Sequence, residues 1–226
     1  MQKRFIFGIS TLGLAISPLN GASLIDYDAE IMGSGFTNRT TAVSPALDGS
    51  NNVDFDFGAI GGDATFEFII SGDPVGGGQD GFLAVATADD ANSLRYEQWN
   101  DTGQLGFTRG GVADYAFAAD SPTVDTHITY RWTDATDTMD LYTNGVLTDS
   151  IVAAATFAMP TGPGFLGNNA GNNEGMVGTI SRVTTFNSAL SASDIASHSD
   201  AWTGVPEPSS ILLSGLSALI LLRRRR

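Results

Sequence analysis

Residues 139–147 read Met-Asp-Leu-Tyr-Thr-Asn-Gly-Val-Leu, which is typical of two antiparallel strands joined by a tight turn. Asn144-Gly145 is the strongest two-residue signal for a hairpin, because both central positions of such a turn take a positive φ. Apolar residues lie on each side of it, at 139–142 and 146–147. The sequence therefore predicts a β-hairpin centred on residues 144–145.

Alternating apolar and polar side chains extend this prediction to neighbouring segments. In residues 127–133, Ile128, Tyr130 and Trp132 share one face and the polar side chains between them share the other. Residues 64–70 alternate in the same way, and a period of two is the pattern of a half-buried strand. Further strands are predicted at residues 53–57, 82–86, 94–99, 105–108, 115–118 and 177–186.

Turn-forming residues separate these strands, as at Gly61-Gly62-Asp63 and Gly110-Gly111. One helix is predicted, since Ser191 and Asp194 form the S-x-x-D capping box that opens a helix running towards Ser199. Many short strands followed by one late helix favour an all-β fold. We therefore predict a two-sheet antiparallel jelly-roll sandwich over residues 23–203.

The charge of the chain is strongly asymmetric. It has 226 residues, no cysteine and a formal net charge of −14. Six of its 11 basic residues lie at the two ends, so the middle keeps five arginines against all 25 acidic residues, 5 − 25 = −20. Nucleic acid requires clustered lysine and arginine, and this composition therefore excludes a nucleic-acid partner.

The amino-terminal end resembles a secretory signal. Lys3 and Arg4 precede the apolar stretch 5–16, and small residues follow at 21–23. A basic start, an apolar helix and small residues at the cut are the parts of a cleavable signal peptide. Residues 1–22 are therefore predicted to be a signal helix that directs the chain to the export machinery.

The carboxyl-terminal end, residues 204–226, has three parts. Val205, Pro206, Glu207 and Pro208 come first, and the two prolines prevent a helix continuous with the preceding chain. The uncharged stretch 209–222 follows, and as a helix it would span about 21 Å, short of the ~30 Å hydrocarbon core. Positively charged residues after an apolar segment stay on the cytoplasmic side of the membrane and stop the export of the chain. Here these residues are Arg223, Arg224, Arg225 and Arg226.

This arrangement resembles the PEP-CTERM sorting signal of Gram-negative bacteria, in which all three parts occur in this order. The resemblance implies an exosortase-type processing protease as partner. It also implies transient anchoring in the inner membrane by a short transmembrane helix. After cleavage, the domain is expected at the cell surface or in the extracellular matrix, where such proteins accompany exopolysaccharide.

The region around the hairpin resembles the laminin-G-like, concanavalin-A-like domains. The matching stretches are residues 139–147, Gly164-Phe165-Leu166-Gly167, and residues 178–191, which resemble a strand running into a short helix. Ser181 stands where these domains usually carry aspartate, and Thr143-Asn144-Gly145 replaces the commoner Val-Asp-Gly, so two acidic residues of the family pattern are missing. The resemblance implies a jelly roll that binds a glycan or a protein.

An enzyme is not expected from this sequence. Glycoside hydrolysis needs a pair of carboxylates, and none of the five glutamates begins the E-x-D-x-x-E pattern of the related glucanases. Glu97 beside Trp99 is a lone carboxylate next to an aromatic residue. His127 and His198 lie outside any metal-type spacing, and we predict both to be ordinary surface histidines.

A cation site is a further hypothesis. Hard cations such as calcium are bound by oxygen atoms of Asp, Asn and Glu side chains and of loop carbonyls. The loop 167–175 contains Asn172, Asn173 and Glu174, and Asp26 and Asp28 are further oxygen donors. Asn and Gly are also common in loops for conformational reasons. The sequence does not require a cofactor. If these residues bind one, calcium is the cofactor that suits their oxygen atoms.

Trp99, followed by Asn100 and Asp101, is the candidate for contact with a sugar ring. An aromatic residue at a turn, with hydrogen-bonding neighbours, suits a carbohydrate. Packing within the domain is the alternative role for Trp99. Three functions follow: a non-enzymatic surface or matrix protein that binds polysaccharide or another surface protein, a purely structural envelope component, and a divergent glycoside-active enzyme.

Overall fold

The computed structural model describes residues 24–33, 39–41, 46–73, 81–87, 89–98 and 102–203. These residues form thirteen strands, two α-helices and one short 3-10 helix. The predicted signal peptide and sorting segment lie outside them, so those domain boundaries stay predictions. Within the described part, none of the helices has the length and apolar character needed to span a membrane.

Seven strands form the first sheet. They are β1 (Arg39–Thr41), β2 (Ala46–Asp48), β4 (Ala64–Asp73), β9 (Thr126–Thr133), β10 (Thr138–Thr143), β11 (Val146–Val152) and β13 (Val177–Phe186). Their order is β1-β13-β4-β9-β10-β11, with β2 also paired to β13, and every pairing is antiparallel.

The second sheet has six strands in the order β3-β12-β5-β6-β7-β8. They are β3 (Val53–Asp56), β5 (Gly81–Ala86), β6 (Asp89–Glu97), β7 (Gln104–Arg109), β8 (Ala113–Asp120) and β12 (Pro163–Leu166). The predicted all-β fold with two antiparallel sheets is therefore confirmed, and most predicted strands agree with the observed ones to within a few residues.

The hairpin at residues 144–145 is confirmed. Asn144 and Gly145 have φ of 47° and 77°, so both central residues take the positive φ that the turn requires. Asn144 also bonds the neighbouring strand: its backbone NH donates to the His127 carbonyl at 2.8 Å, and its Oδ1 accepts from the His127 NH at 3.2 Å. The turn therefore fixes the register of three strands.

The main core lies between the two sheets and is rich in aromatic side chains. Phe66 and Phe68 of β4 contact the rings of neighbouring elements, and Phe68 meets Tyr130 edge to face at 6.1 Å between centroids. Trp132 is fully buried and packs against Phe157 at 5.8 Å. The apolar face predicted from the alternation at residues 128–132 is thus the face that points inwards.

A second core lies on the outer face of the seven-stranded sheet. Two helices cover that face: α1 (Leu24–Gly33) and α2 (Ala192–Thr203). Its buried apolar members are Tyr27, Ile31, Ile69, Phe186 and Trp202. Strand β4 is therefore buried on both faces over residues 64–70, which the period-two pattern did not predict. Every buried apolar residue of the two cores lies between positions 27 and 202, which is within the predicted domain 23–203.

The capping box of α2 is confirmed. The backbone NH of Asp194 donates to Ser191 Oγ at 3.2 Å, and the Ser191 NH donates to Asp194 Oδ2 at 3.3 Å. These reciprocal bonds satisfy amides that a helix start leaves without partners. The helix is longer than predicted and ends at Thr203, one residue before the predicted sorting segment.

Candidate functional site

The two histidines were predicted at the surface, and the structure shows this to be wrong. His127 and His198 are both fully buried, and each faces the fully buried carboxylate of Glu67. The Nδ1 atom of His198 lies 3.0 and 3.1 Å from the two carboxylate oxygens, and Nε2 of His127 lies 3.4 Å from Oε2. The polar face of β4 and β9 is covered because α1 and α2 pack over it.

Tyr27 completes this polar cluster. Its hydroxyl donates to Glu67 Oε2 at 2.8 Å and lies 3.2 Å from Thr184 Oγ1. Tyr27 belongs to α1, His198 to α2, and Glu67 to the sheet beneath them. The cluster therefore joins both helices to the sheet through one carboxylate, and its burial leaves no surface for a ligand.

Burial alone would raise the pKa of Glu67, but the hydrogen bonds and charges of His127 and His198 outweigh burial and lower it to about 2. For His198, burial favours the neutral ring, yet the hydrogen bond and charge of Glu67 outweigh this and raise the pKa. Burial raises the pKa of Tyr27 well above its ordinary value. The cluster is therefore built around an ionised carboxylate.

A polar groove of about 360 Å³ opens at the end of the second sheet, where a turn joins β7 to β8. It is lined by Arg95, Thr108, the turn residues 109–113, Asp114 and Glu174. Arg95, Thr108 and Asp114 each precede or follow a residue that packs into the main core, so alternation places them on the outer face. Unlike the buried cluster, this groove is open to solvent.

Arg95 is held firmly in the groove wall. Its guanidinium lies 3.6 Å from the ring centroid of Phe82, and its Nη1 donates to Glu174 Oε2 at 3.0 Å. Its side chain is only 8% exposed. A guanidinium fixed by an aromatic face and a carboxylate keeps one orientation, so less entropy is lost when it donates to a ligand.

The β7–β8 turn supplies the opposite wall. The Val112 NH donates to the Arg109 carbonyl at 2.9 Å, and Gly111 has φ of 73°, which favours glycine. Gly110 lies against Ala91, where a Cβ would come within 2.8 Å of the Ala91 Cβ and carbonyl oxygen. The turn needs glycine at both positions for these two different reasons.

Arg109 and Asp114 flank this turn, and Asp114 brings an acceptor to the groove. Arg109 donates from Nε to the Thr156 carbonyl at 3.2 Å and from Nη1 to the Gly110 carbonyl at 3.4 Å. Asp114 Oδ1 accepts from the Thr108 hydroxyl at 2.7 Å and its side chain is exposed. Fixed donors and acceptors around an open groove can bind the hydroxyl groups of a sugar.

The loop predicted as a cation site forms one side of this region. Asn168, which is fully buried, donates from Nδ2 to the Gly49 carbonyl at 3.2 Å. Its Oδ1 accepts from the Asn169 and Glu174 amides at 2.9 and 3.1 Å. Asn172 and Asn173 are exposed, and Asn172 has φ of 52°. The loop is therefore shaped by the Asn168 amide.

Glu174 faces Arg95, and Asp28 pairs with Arg182, whose Nη2 lies 2.6 Å from Asp28 Oδ2. In the described part of the chain, no three His, Cys, Asp or Glu side chains are arranged to hold a metal ion. Of the predicted cation ligands, Glu174 and Asp28 thus each pair with an arginine, and Asn172 and Asn173 are exposed to solvent. Calcium stays a sequence-based hypothesis.

Replacing Asn168 with alanine is expected to lower the free energy of unfolding by about 2 kcal/mol, because three partly buried backbone groups lose their partner. Excess calcium should not restore the loss. Denaturant unfolding of N168A, compared with N173A in the same loop, measures both effects. The exposed Asn173 side chain should matter by less than about 0.5 kcal/mol; equal losses in the two variants would contradict this account of the loop.

The sugar-contact candidates Trp99, Asn100 and Asp101 lie outside the described residues, as do Val205–Pro208 and Arg223–Arg226. Glu97 is buried and accepts from the Gly103 amide at 3.2 Å through Oε1. Sequence reasoning missed the groove itself. The signal that could have indicated it is the rarity of arginine, since two of the five arginines in the middle of the chain line the groove.

An all-β sandwich with a polar groove at the end of one sheet is an architecture suited to ligand binding. The profile of the concanavalin A-like lectin/glucanases superfamily, in its laminin-G form, matches residues 40–196. This chain belongs to that superfamily. The PEP-CTERM protein-sorting motif matches residues 204–226, and this sorting signal marks the protein as secreted or cell-surface.

Two solved structures are similar to this chain at the level of the fold. Domain 4 of AbnA, a GH43 extracellular arabinanase from Geobacillus stearothermophilus determined with arabinotriose, is 15% identical with a TM-score of 0.55. That match covers 72% of this chain and 81% of the domain. The NanB sialidase of Streptococcus pneumoniae is 14% identical with a TM-score of 0.50.

The NanB match covers 70% of this chain but only 27% of the sialidase, so the chain corresponds to about a quarter of that enzyme. Both likenesses are far below the identity at which function transfers, and they establish the fold alone. Among curated protein sequences, none matches this chain.

Proposed function

We propose that this protein is an exported, non-enzymatic cell-surface or extracellular-matrix protein of a Gram-negative bacterium, whose β-sandwich binds polysaccharide. The groove lined by Arg95, Thr108 and Asp114 carries the proposal, because it combines fixed hydrogen-bond donors and acceptors in an open, polar depression. The superfamily includes lectins, and one similar structure holds arabinotriose, which supports a carbohydrate ligand.

The sorting signal supplies the route. Residues 1–22 would direct export, the stretch 209–222 would hold the chain briefly in the inner membrane, and Arg223–Arg226 would stay on the cytoplasmic side. An exosortase-type protease would then cleave within the 204–226 segment and release the domain. Trp99, Asn100 and Asp101 are proposed as a second contact region for the glycan.

A glycan array probed with residues 23–203 tests the binding function. We expect binding to at least one polysaccharide, and D114A should weaken it about tenfold, because one lost hydrogen bond to a charged group corresponds to roughly 1.5 kcal/mol or more. D120A is the matched control, since Asp120 is an exposed aspartate on the same strand outside the groove. W99A tests the second contact region.

Three outcomes separate the candidate functions. Binding that D114A weakens and D120A leaves intact supports the proposal. No binding to any glycan would favour a purely structural envelope component. Release of new reducing ends from a bound polysaccharide would show a glycoside-active enzyme.

A further inference from the structure

The charged side chains around the groove do not all face a ligand inside it. Alternation along β6, β7 and β8 places Arg95, Thr108 and Asp114 on the outer face of the second sheet, where the groove opens. Arg109 follows Thr108 on β7, so its side chain leaves the opposite face of the strand. Its guanidinium is bonded to two backbone carbonyl oxygens. The charged groups that face the groove are therefore Arg95, Asp114 and Glu174, which contacts Arg95.

The charge of Arg95 is balanced within the groove. Its Nη1 donates to Glu174 Oε2 at 3.0 Å, and its guanidinium lies 3.6 Å from the ring centroid of Phe82. The Arg95 side chain is only 8% exposed, and its Nε has no hydrogen bond to a described residue. A guanidinium has five N–H donors, so Arg95 keeps donors for an oxygen atom of a sugar. The pair with Glu174, however, has no net charge to attract an anion.

Asp114 is the charge of the groove that is not balanced. Its Oδ1 accepts from the Thr108 hydroxyl at 2.7 Å, and its side chain is exposed. Among the described residues, no arginine or histidine forms an ion pair with it. The three charged groups therefore sum to 1 − 2 = −1. The surrounding domain, residues 23–203, contains five arginines and 24 acidic residues, a balance of 5 − 24 = −19. An anion in the groove thus meets negative charge at short and at long range.

We propose that the groove selects segments of polysaccharide without acidic groups, and that Asp114 determines this selectivity by accepting from hydroxyl groups of a neutral sugar. This inference rests on the proposed carbohydrate-binding function. A sugar hydroxyl donates to the carboxylate in a charge-assisted hydrogen bond. The ionised carboxylate of a uronic acid has no proton to donate there, and the like charge of Asp114 repels it. Arg95 donates to an oxygen atom of the same neutral segment.

The test measures binding of residues 23–203, at low ionic strength, to matched pairs of polysaccharides. Each pair consists of a uronic-acid-containing polymer and the same polymer after chemical reduction of its carboxyl groups to alcohols. We expect at least one reduced polymer to bind, and its acidic parent to bind at least about tenfold more weakly, because juxtaposed like charges disfavour a partner. Added salt should reduce this difference, since it screens the repulsion.

The double variant D114N/E174Q changes the charge of the groove from −1 to +1 and nearly keeps its shape. It should bind the acidic polymer at least about tenfold more tightly than the wild-type domain does, and the reduced polymer more weakly. D114N alone should lie between the two. The matched control is D54N/D120N, which changes the net charge of the domain equally at two exposed aspartates outside the groove. Thermal unfolding of each variant shows that the domain is intact.

Tighter binding of the acidic polymers than of their reduced counterparts by the wild-type domain would overturn the proposed selectivity. A gain for acidic polymers that is equal in D54N/D120N and D114N/E174Q, or absent from both, would overturn the role of Asp114. In each of these cases carbohydrate binding would stand. Absence of binding to every polymer would remove the proposed function itself.

Discussion

Replacing Glu67 with alanine is expected to lower the free energy of unfolding by about 3–5 kcal/mol. The carboxylate is fully buried and accepts from Tyr27 and His198, with His127 3.4 Å away. Its removal leaves His198 Nδ1 without a partner, takes one of two acceptors from the Tyr27 hydroxyl, and removes the charge that faces His127. Because Tyr27 and His198 belong to α1 and α2, the helices should lose protection from hydrogen exchange more than the strands do.

Denaturant unfolding and hydrogen exchange of E67A measure these effects. The matched control is E30A, which removes a partly buried carboxylate that accepts from Ser197 on α2. We expect its loss to be about 1 kcal/mol or less. E67Q keeps the shape and an acceptor, so it should lie between the two. A Glu67→Ala loss no larger than that of E30A would contradict the role of the cluster.

The same cluster predicts how stability depends on pH. The pKa of Glu67 is lowered to about 2, so its contribution is present above the unfolded value near 4.5 and is lost as pH falls towards 2. The pKa of His198 is raised, so its contribution is present below about 6.5 and is lost as pH rises through the raised value. The cluster should therefore stabilise most between about pH 4.5 and 6.5.

H198N tests the upper side of this window, since asparagine can donate from a position near that of Nδ1 but does not titrate. In the wild-type domain the midpoint of unfolding should fall as pH rises above about 6.5. In H198N this fall should be absent. An unchanged profile would assign the decline to another group.

The second large effect concerns the sorting motif. When Pro206, Glu207 and Pro208 are replaced together by alanine, we expect the chain to keep its arginine tail and to remain in the membrane fraction. The described fold runs to Thr203, so the five residues 204–208 would connect it to the apolar stretch over at most about 17 Å. A protease that cleaves there needs an extended backbone. The prolines favour that conformation, whereas alanines favour a helix.

The intact mass of the wild-type and variant proteins, expressed with an exosortase, measures this. The mass of the wild-type protein should correspond to a chain without the end of the 204–226 segment. The mass of the triple variant should correspond to a chain that retains it. S209A, next to the motif, is the control and should be processed normally. A wild-type mature protein that still carries Arg223–Arg226 would contradict the assignment.

Local signals in the sequence predicted much of the fold. Asn144-Gly145 and the Ser191–Asp194 capping box depend on contacts within a few residues, and both are confirmed. The alternation at Ile128, Tyr130 and Trp132 identified the face that enters the core. These features follow from backbone conformation and periodicity, which neighbouring residues determine.

The failures involve contacts that are distant in sequence. A period of two shows that His127 and Glu67 share a face with polar residues, but not that α1 and α2 cover it. Helix α1 was missed although Ser23 and Asp26 repeat the S-x-x-D pattern of Ser191 and Asp194 in the sequence. The groove was missed because Arg95 meets Glu174 from 79 residues away, and the pairing depends on the order of the strands.

We propose the groove at the β7–β8 turn as the carbohydrate-binding site of this domain. The tightest-binding saccharide from the array should be titrated into the isotope-labelled domain 23–203, with its amide signals followed by NMR. We expect saturable changes in chemical shift that are concentrated in residues 108–114, Arg95 and Glu174. Changes confined to α1 and α2, or no saturable change anywhere, would contradict it.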